Sequence, residues 1–396
     1  MSVSRFARGA ALLLALAGAS LLGAVESAVG QSLLASRGLG LISEPFDARA
    51  RGLGGVAQGL PEPNLSLLNP ASVAGIPAPA LHVTYQPDSY SAEFGGRTTE
   101  GTTARFPLIH VALPLGGRTV LSLGYGSFLD QSWGVETDTT LIIGGESVPV
   151  LDRFASRGGV ASLRLGGAYA LNERLAVGVG LDIHTGAQRD SVIRFFQGGT
   201  LAPTVYSSLR SYSGLSYNAG VRWNPSEAFA LGASLGQGGT LEARPEDEAQ
   251  STLSYQLPLT AGFGGSGRVT PTTLVAISGR WTGWSAADGA LSGAGGARDT
   301  WSVGGGIEWE AFTAGERVFP FRLGARYATL PFAWQAGAES DGLLAERALT
   351  AGAGVRLGGG AAVADLSLER GNRGGDGAGL SESFWRMAVS LTVLGR

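Results

Sequence analysis

The sequence contains no cysteine and no lysine, and its three histidines lie far apart at His82, His110 and His184. Without cysteine there is no disulfide framework, no thiolate metal site and no thiol for lipidation behind a leader. All 29 basic residues are arginine, and against 32 acids they leave a formal charge of −3. Such a balance offers no basic field to a nucleic acid. Only 15% of the 396 residues are charged, low for a soluble domain of this length. After residue 30 no stretch approaches the roughly 18 apolar residues that a membrane helix needs. Mean hydropathy is nonetheless +0.15. A chain can be apolar without such a helix when its apolar residues are spread over alternating strands.

The first 30 residues have the layout of a signal peptide. Arg5 and Arg8 form a basic region and Ala10 to Ala24 an apolar stretch. Ala28 and Gly30 are small residues suited to a cut before Gln31. Export without disulfides fits the outer membrane of a Gram-negative bacterium.

From residue 80 onward the hydrophobic period is two. Between Arg174 and His184, Leu175, Val177, Val179, Leu181 and Ile183 share one face, opposite Ala176, Gly178, Gly180, Asp182 and His184. The same alternation recurs at 215–224 and at 385–393. A soluble sandwich also alternates, but its polar face is normally rich in lysine and glutamate. Here that face is glycine, serine and threonine with scattered arginines and acids, which suits a crowded polar interior with the apolar face toward lipid. The pattern predicts fourteen strands, near 80–86, 105–113, 119–128, 160–171, 174–186, 214–224, 228–236, 252–264, 272–284, 299–311, 320–330, 345–357, 360–370 and 382–394. Long and short connections alternate between them, and an even count returns both ends to the periplasm. Trp301 and Trp309 share parity on one strand, roughly 26 Å apart along it, a separation that suits two aromatic girdles. The expected fold is an all-β transmembrane antiparallel barrel over 80–396.

A fourteen-strand barrel encloses space that its own side chains do not fill. Residues 31–79 are too rich in glycine and proline to add strands. Within "LLNPASVAGI", Asn69 can cap a helix, Pro70 fits its first position and Gly75 can end it. A helix of about one turn does not hold itself in water. Folded back into the barrel as a plug, it gains the packing it lacks.

"RGLGGVA" followed by "NPASVAG", ahead of this strand pattern, resembles the FadL-like outer-membrane transporters of long-chain fatty acids and other hydrophobic compounds. "YQLPLTAGFGGSGRVTPTTLVAISGRWTGWS", "FPFRLGARYATLPF" and the closing "ERGNRGG…ESFWRMAVSLTV" are similar to the later hairpins of that family. The resemblance implies a passive, monomeric channel for hydrophobic small molecules, surrounded by outer-membrane lipid and inserted by the barrel-assembly machinery. It also implies an N-terminal hatch, with Gly52, Gly54, Gly55, Asn69, Pro70 and Ala71 in the matching motifs, and a lateral opening between strands. PorV-like barrels share the same opening motifs. That relationship implies the alternative, a non-transporting scaffold or shuttle with a secreted protein as partner.

By parity, Arg164, Arg222, Arg280, Arg322, Arg326, Arg356 and Arg386 face the lumen, together with Asp182, Glu308, Glu310, Asp365 and Glu369. Arginines and acids facing each other across a barrel can pair and hold a plug, or an arginine can attract a ligand carboxylate. Asp182 and His184 share a strand face about 7 Å apart, beyond hydrogen-bond reach by backbone geometry, and no nucleophile motif accompanies them. "GLGG" and "GGSGR" lack the helix and the lysine of a phosphate loop. The acidic stretch "RPEDEA" reads as a solvated loop. No enzyme, cofactor, metal site or nucleic-acid partner is expected.

Overall fold

The computed structural model describes residues 32–197, 201–291, 296–333, 344–375 and 379–395. The signal peptide expected at 1–30 lies outside the described residues. After the two-residue strand β1 (Leu41–Ile42), the strands in chain order are β2 (Ala80–Phe94), β3 (Arg97–Pro114), β4 (Thr119–Asp130), β5 (Trp133–Ile143), β6 (Glu146–Ala170), β7 (Leu175–Phe196), β8 (Thr204–Trp223) and β9 (Phe229–Pro245). They continue with β10 (Leu253–Gln256), β11 (Leu259–Thr270), β12 (Thr273–Thr282), β13 (Thr300–Ala314), β14 (Arg317–Thr329), β15 (Ala345–Leu357), β16 (Ala362–Gly374) and β17 (Leu380–Leu394).

Antiparallel pairing of neighbours closes a ring of fourteen strands, with the last, β17, hydrogen-bonded to the first, β2, from Leu394↔Ala80 to Leu380↔Phe94. Strands β5 and β10 stand outside the ring, paired to the distal parts of β6 and β9. Each of the fourteen expected strands corresponds to one stave. The wall alternates as a membrane barrel requires: Val179, Leu323 and Leu349 are 64%, 68% and 70% exposed, whereas Arg322 and Ala348 are buried. Trp301 and Trp309 both project from the apolar outer face.

One end of the barrel carries short turns, such as Leu115–Arg118 and Gly315–Glu316, together with Ala80 and Leu394. At the opposite, distal end the expected long connections are largely strand. Residues 87–104 form the upper parts of β2 and β3 around a two-residue turn at Gly95–Gly96, and 129–159 contains the β5–β6 hairpin. Most of 187–213 extends β7 and β8. Beyond the apolar band no lipid enforces one apolar face, so the period-two signal fades although the backbone ladder continues.

Candidate functional site

Most of the segment 46–76 is buried against the inner wall of the ring. Asp47 caps a short helix, Ala48–Gly52, by accepting from the Ala50 amide at 2.6 Å. This helix turns Arg49 and Arg51 toward opposite groups of carboxylates on the wall. Next comes a run held by backbone. Thr350 donates to the Gly52 carbonyl at 3.0 Å, Ser278 to Gly55 at 3.3 Å and Ser266 to Gly59 at 2.6 Å. The wall is stripped of side chains here. A Cβ on Gly264, Gly304 or Gly324 would run into the backbone of Gln58 or Gly54. Gly54 itself has φ +75° and abuts the backbone of Ala325 and Gly305, so both its conformation and its space require glycine.

Asn69 begins the second clasp. Its side chain accepts from the Ala71 amide at 2.9 Å, capping the 3₁₀ turn Pro70–Val73, and donates to the carbonyls of Val221 at 3.0 Å and Ala233 at 3.3 Å. A side chain at Gly220 would overlap the Asn69 amide, and one at Gly178 would overlap the Pro70–Ala71 backbone. The turn that cannot stand alone is therefore held against β6, β7 and β8, with Pro70 and Ala71 buried and the Asn69 side chain reaching on to β9.

The lumen charges converge in clusters. Glu308 accepts two bonds from Arg49 at 2.9 and 2.8 Å, one from Arg322 at 2.6 Å and one from Arg356 at 3.1 Å. Arg322 also reaches Asp365 at 2.7 Å, and Arg356 reaches Glu310 at 2.7 Å. In a second cluster Arg51 and Arg386 share Glu369 at 3.0 and 3.3 Å, and Arg386 approaches Asp88 at 3.3 Å. Burial, reinforced by the nearby Arg386, pushes the Arg51 guanidinium down to about 10, so it stays charged at neutral pH. Arg326 bridges Glu44 of the N-terminal segment and Glu346 of the wall. Arg164 pairs with Asp182 at 2.6 Å and also donates to the Leu67 carbonyl. Arg222 donates to the Ala74 carbonyl at 2.7 Å. Burying so many charges is costly unless each is matched, and here most are matched.

Arg280 differs from these. Its nearest acid is Glu44 at 3.9 Å, which Arg326 engages more closely. Arg280 stands where two chambers meet at Pro45, Phe128, Pro258 and Thr260. The first, ≈140 Å³, is bordered by Leu41, Ile42, Phe128, Trp284 and Phe384 with several charged groups; the second, ≈130 Å³, by Leu67, Leu68, His184 and Leu257. The chambers adjoin a break in the wall. Strands β3 and β4 pair only from Leu108↔Gly126 to Pro114↔Val120 and then separate at Pro107. Strand β1 occupies the vacated edge of β4, Leu41 against Asp130 and Ile42 against Leu129, and the Ser43 amide donates to Phe128 at 2.9 Å. Arg105 of β3 spans the separation to Asp130 at 2.9 Å.

The residues singled out by parity make their contacts with the N-terminal segment, with one another or with neighbouring wall residues. Parity reasoning passed over Glu346 and Glu382, which lie on the inward faces of β15 and β17, and Arg373, which fell in an expected loop. It had no means of finding Glu44, Arg49, Arg51 and Glu62, because an irregular segment has no period. The histidines serve structure: His82 bonds Thr392 and Thr84, His110 the Leu65 carbonyl, and His184 Ser216. Among the described residues no group of acids and histidines is arranged to hold a metal.

Residues 19–256 match the model of the BamG family. No curated protein sequence matches the chain. Among solved structures, the toluene transporter TbuX of Ralstonia pickettii is similar with a TM-score of 0.59 at 15% identity, over 89% of this chain and 99% of that one. A Pseudomonas aeruginosa FadL homologue gives 0.60 at 13% identity, over 89% and 98%. The P. putida toluene transporter TodX gives 0.58 at 13% identity, over 90% and 99%. These likenesses establish the architecture. The family match spans more than half of the sequence: the chain belongs to the BamG family and is built on the fold of the FadL-type channels.

Proposed function

We propose that this barrel lies in the outer membrane, short-turn end and termini toward the periplasm, and passively admits hydrophobic small molecules past an N-terminal hatch. The observation that carries the reading is the separation of β3 from β4 with β1 seated in it. Unpaired strand backbone is costly in lipid, so a wall break is tolerated only where something satisfies it. Here the partner is the hatch itself, which couples its position to a side exit toward the bilayer.

The chambers suggest a size class. An apolar cavity of about 150 Å³ takes up benzene, and each chamber, at ≈140 and ≈130 Å³, is near that volume. Single-ring hydrocarbons, the cargo named for TbuX and TodX, fit one chamber. A long-chain fatty acid needs both, joined by displacement of Glu44–Pro45, with Arg280 at the junction for its carboxylate. No nucleotide or energy-coupling element is part of the proposal.

The test uses the absence of cysteine. Ile42 and Leu129 are antiparallel partners, a geometry that accepts a disulfide. In outer-membrane vesicles, whose lipopolysaccharide leaflet slows apolar solutes, Ile42→Cys with Leu129→Cys should speed entry of toluene and a labelled fatty acid when reduced and lose that gain when oxidised, while a sugar passes in neither state. Uptake unchanged by oxidation removes the side exit from the mechanism. No uptake even through the reduced protein, with a leak appearing only on deletion of 50–76, makes the segment a seal and favours the PorV-like scaffold.

A further inference from the structure

The distal ends of β6, β7 and β8 continue past the barrel rim as a sheet to which the hairpin strand β5 is added. Along the outer face of β7 the residues Val177, Val179, Leu181 and Ile183 are followed by Thr185, Ala187, Arg189 and Ser191, then by Ile193 and Phe195. On β6 the same face passes from Leu165 and Leu163 through Arg157 and Arg153 to Leu151. The apolar band that meets lipid thus ends, a polar belt follows, and a second apolar patch begins roughly 33 Å along the strand from Ile183. Lipid does not explain that patch. Ile142, beside it on β5, is 80% exposed.

At this height β5 pairs with β6 alone, in unbroken register from Trp133↔Ser156 to Ile143↔Glu146. The Leu33–Ser36 turn packs against β5, and Val135 joins the cluster containing Leu33 and Leu34. From Glu136 to Ile143, no other described strand covers the second edge. The turn Gly144–Gly145 has φ +63° and +89°, the geometry of a two-residue hairpin. The residues flanking such a turn form a hydrogen-bonded pair, and the pattern alternates along an antiparallel ladder. Ile143, Leu141, Thr139 and Thr137 therefore bond β6, while the amides and carbonyls of Ile142, Thr140, Asp138 and Glu136 point to the open edge. Proteins commonly shield such an edge with lysine, proline, a bulge or an overlying element. The stretch 136–143, ETDTTLII, has no lysine, proline or bulge.

We propose that this edge of β5 is a docking site for an extended, basic segment of another protein, which adds to the distal sheet as a further strand. Backbone groups in register select a polypeptide over a lipid or sugar. Glu136 and Asp138 share a face, and Arg153 neutralises only Glu136, so the occupant carries arginine or lysine on that side. Strand β5 itself is acidic with no basic residue, which argues against a second copy of this chain as the occupant. The proposal is independent of the hatch and of any transport through the lumen.

The probe is a short fluorescent peptide of alternating valine and arginine, titrated by anisotropy against the full chain in nanodiscs. Saturable binding is expected. Thr140→Pro, which removes an outward amide and spares the bonds to β6, should weaken it at least tenfold, whereas Thr140→Val should not. A peptide N-methylated at every residue, which leaves neither edge able to donate, should fail against the unaltered protein, a control that does not depend on any variant folding. No binding by the unmethylated peptide, or equal binding by Thr140→Pro and by the N-methylated peptide, overturns the proposal. So does a concentration-dependent dimer of the chain that Thr140→Pro abolishes, because the occupant would then be a second copy.

Discussion

Gly54 of the N-terminal segment and Gly304 of β13 meet backbone to backbone, so closely that a methyl group on Gly304 would overlap the Gly54 carbonyl oxygen. The wall and the N-terminal segment are joined there without an intervening side chain. Gly304→Ala should displace the segment locally and cost on the order of 1–3 kcal/mol, as overpacking of a filled interior does. The expected result is a higher basal conductance in planar bilayers with the barrel still heat-modifiable on gels. Conductance equal to that of the unaltered protein would show that the contact does not seal the lumen.

Asn69 joins a cap to two wall carbonyls, and its removal should be felt at both. Asn69→Ala loses the cap of the 3₁₀ turn and strips Val221 and Ala233 of a donor, an expected loss of about 1–3 kcal/mol. Hydrogen exchange at Ala71–Ala74 should accelerate while the strands of β7 and β8 remain protected. Unchanged exchange would mean that Pro70 and the surrounding packing hold the turn unaided.

Among the described residues Glu308 is the one carboxylate shared by Arg49, Arg322 and Arg356. Glu308→Gln leaves those buried cations without their common counter-charge, and removing one member of a buried pair typically costs about 3–5 kcal/mol. The double variant with Arg49→Met should be less damaged than the sum of the two single variants, since the residues share one network. Additive losses in urea unfolding would place Arg49 outside it.

Acid should loosen the segment at Glu62. Burial alone would raise its carboxyl, but the guanidinium of Arg49, and then that of Arg356, overcomes this and holds it below the ordinary carboxylate value. A depressed folded-state value means the stabilisation is complete above the unfolded value, near pH 4.3, and is lost as pH falls through the folded one. Exchange of amides 48–64 should therefore rise only below about pH 4.3, and Glu62→Gln should flatten that part of the profile. A variant with the same acid step as the parent protein would assign the step to another carboxylate.

The staves were legible because lipid imposes a strict rule on them: Val177 to Ile183 must alternate, and they do. The same strand becomes unreadable beyond Gly186, since water is tolerant of either face and Gln188–Arg189–Asp190–Ser191 could belong to a loop. Inside the lumen, Arg322 and Glu308 could be placed because their strands fixed their direction. Arg49 and Glu62 could not, because their positions follow from contacts with strands more than 200 residues away, which no local pattern encodes. Asn69–Pro70 is the exception within the irregular segment. A cap followed by proline states its own geometry, and the helical turn it implies is the one observed.

The partners of the N-terminal segment also bear on how the molecule is put together. Ser32 bonds Glu382 on β17, Arg51 bonds Glu369 on β16, and Arg49 bonds Glu308 on β13. The part of the chain made first thus waits for the part made last, and the seam that closes the ring joins β17 to β2, the strand that follows the segment directly. Of the segment's two helix arginines, Arg51 is neutralised by β16 beside the seam and Arg49 by β13 further round the ring. The ring's closing strands and the segment inside it therefore hold each other in place through one shared set of ion pairs and hydrogen bonds.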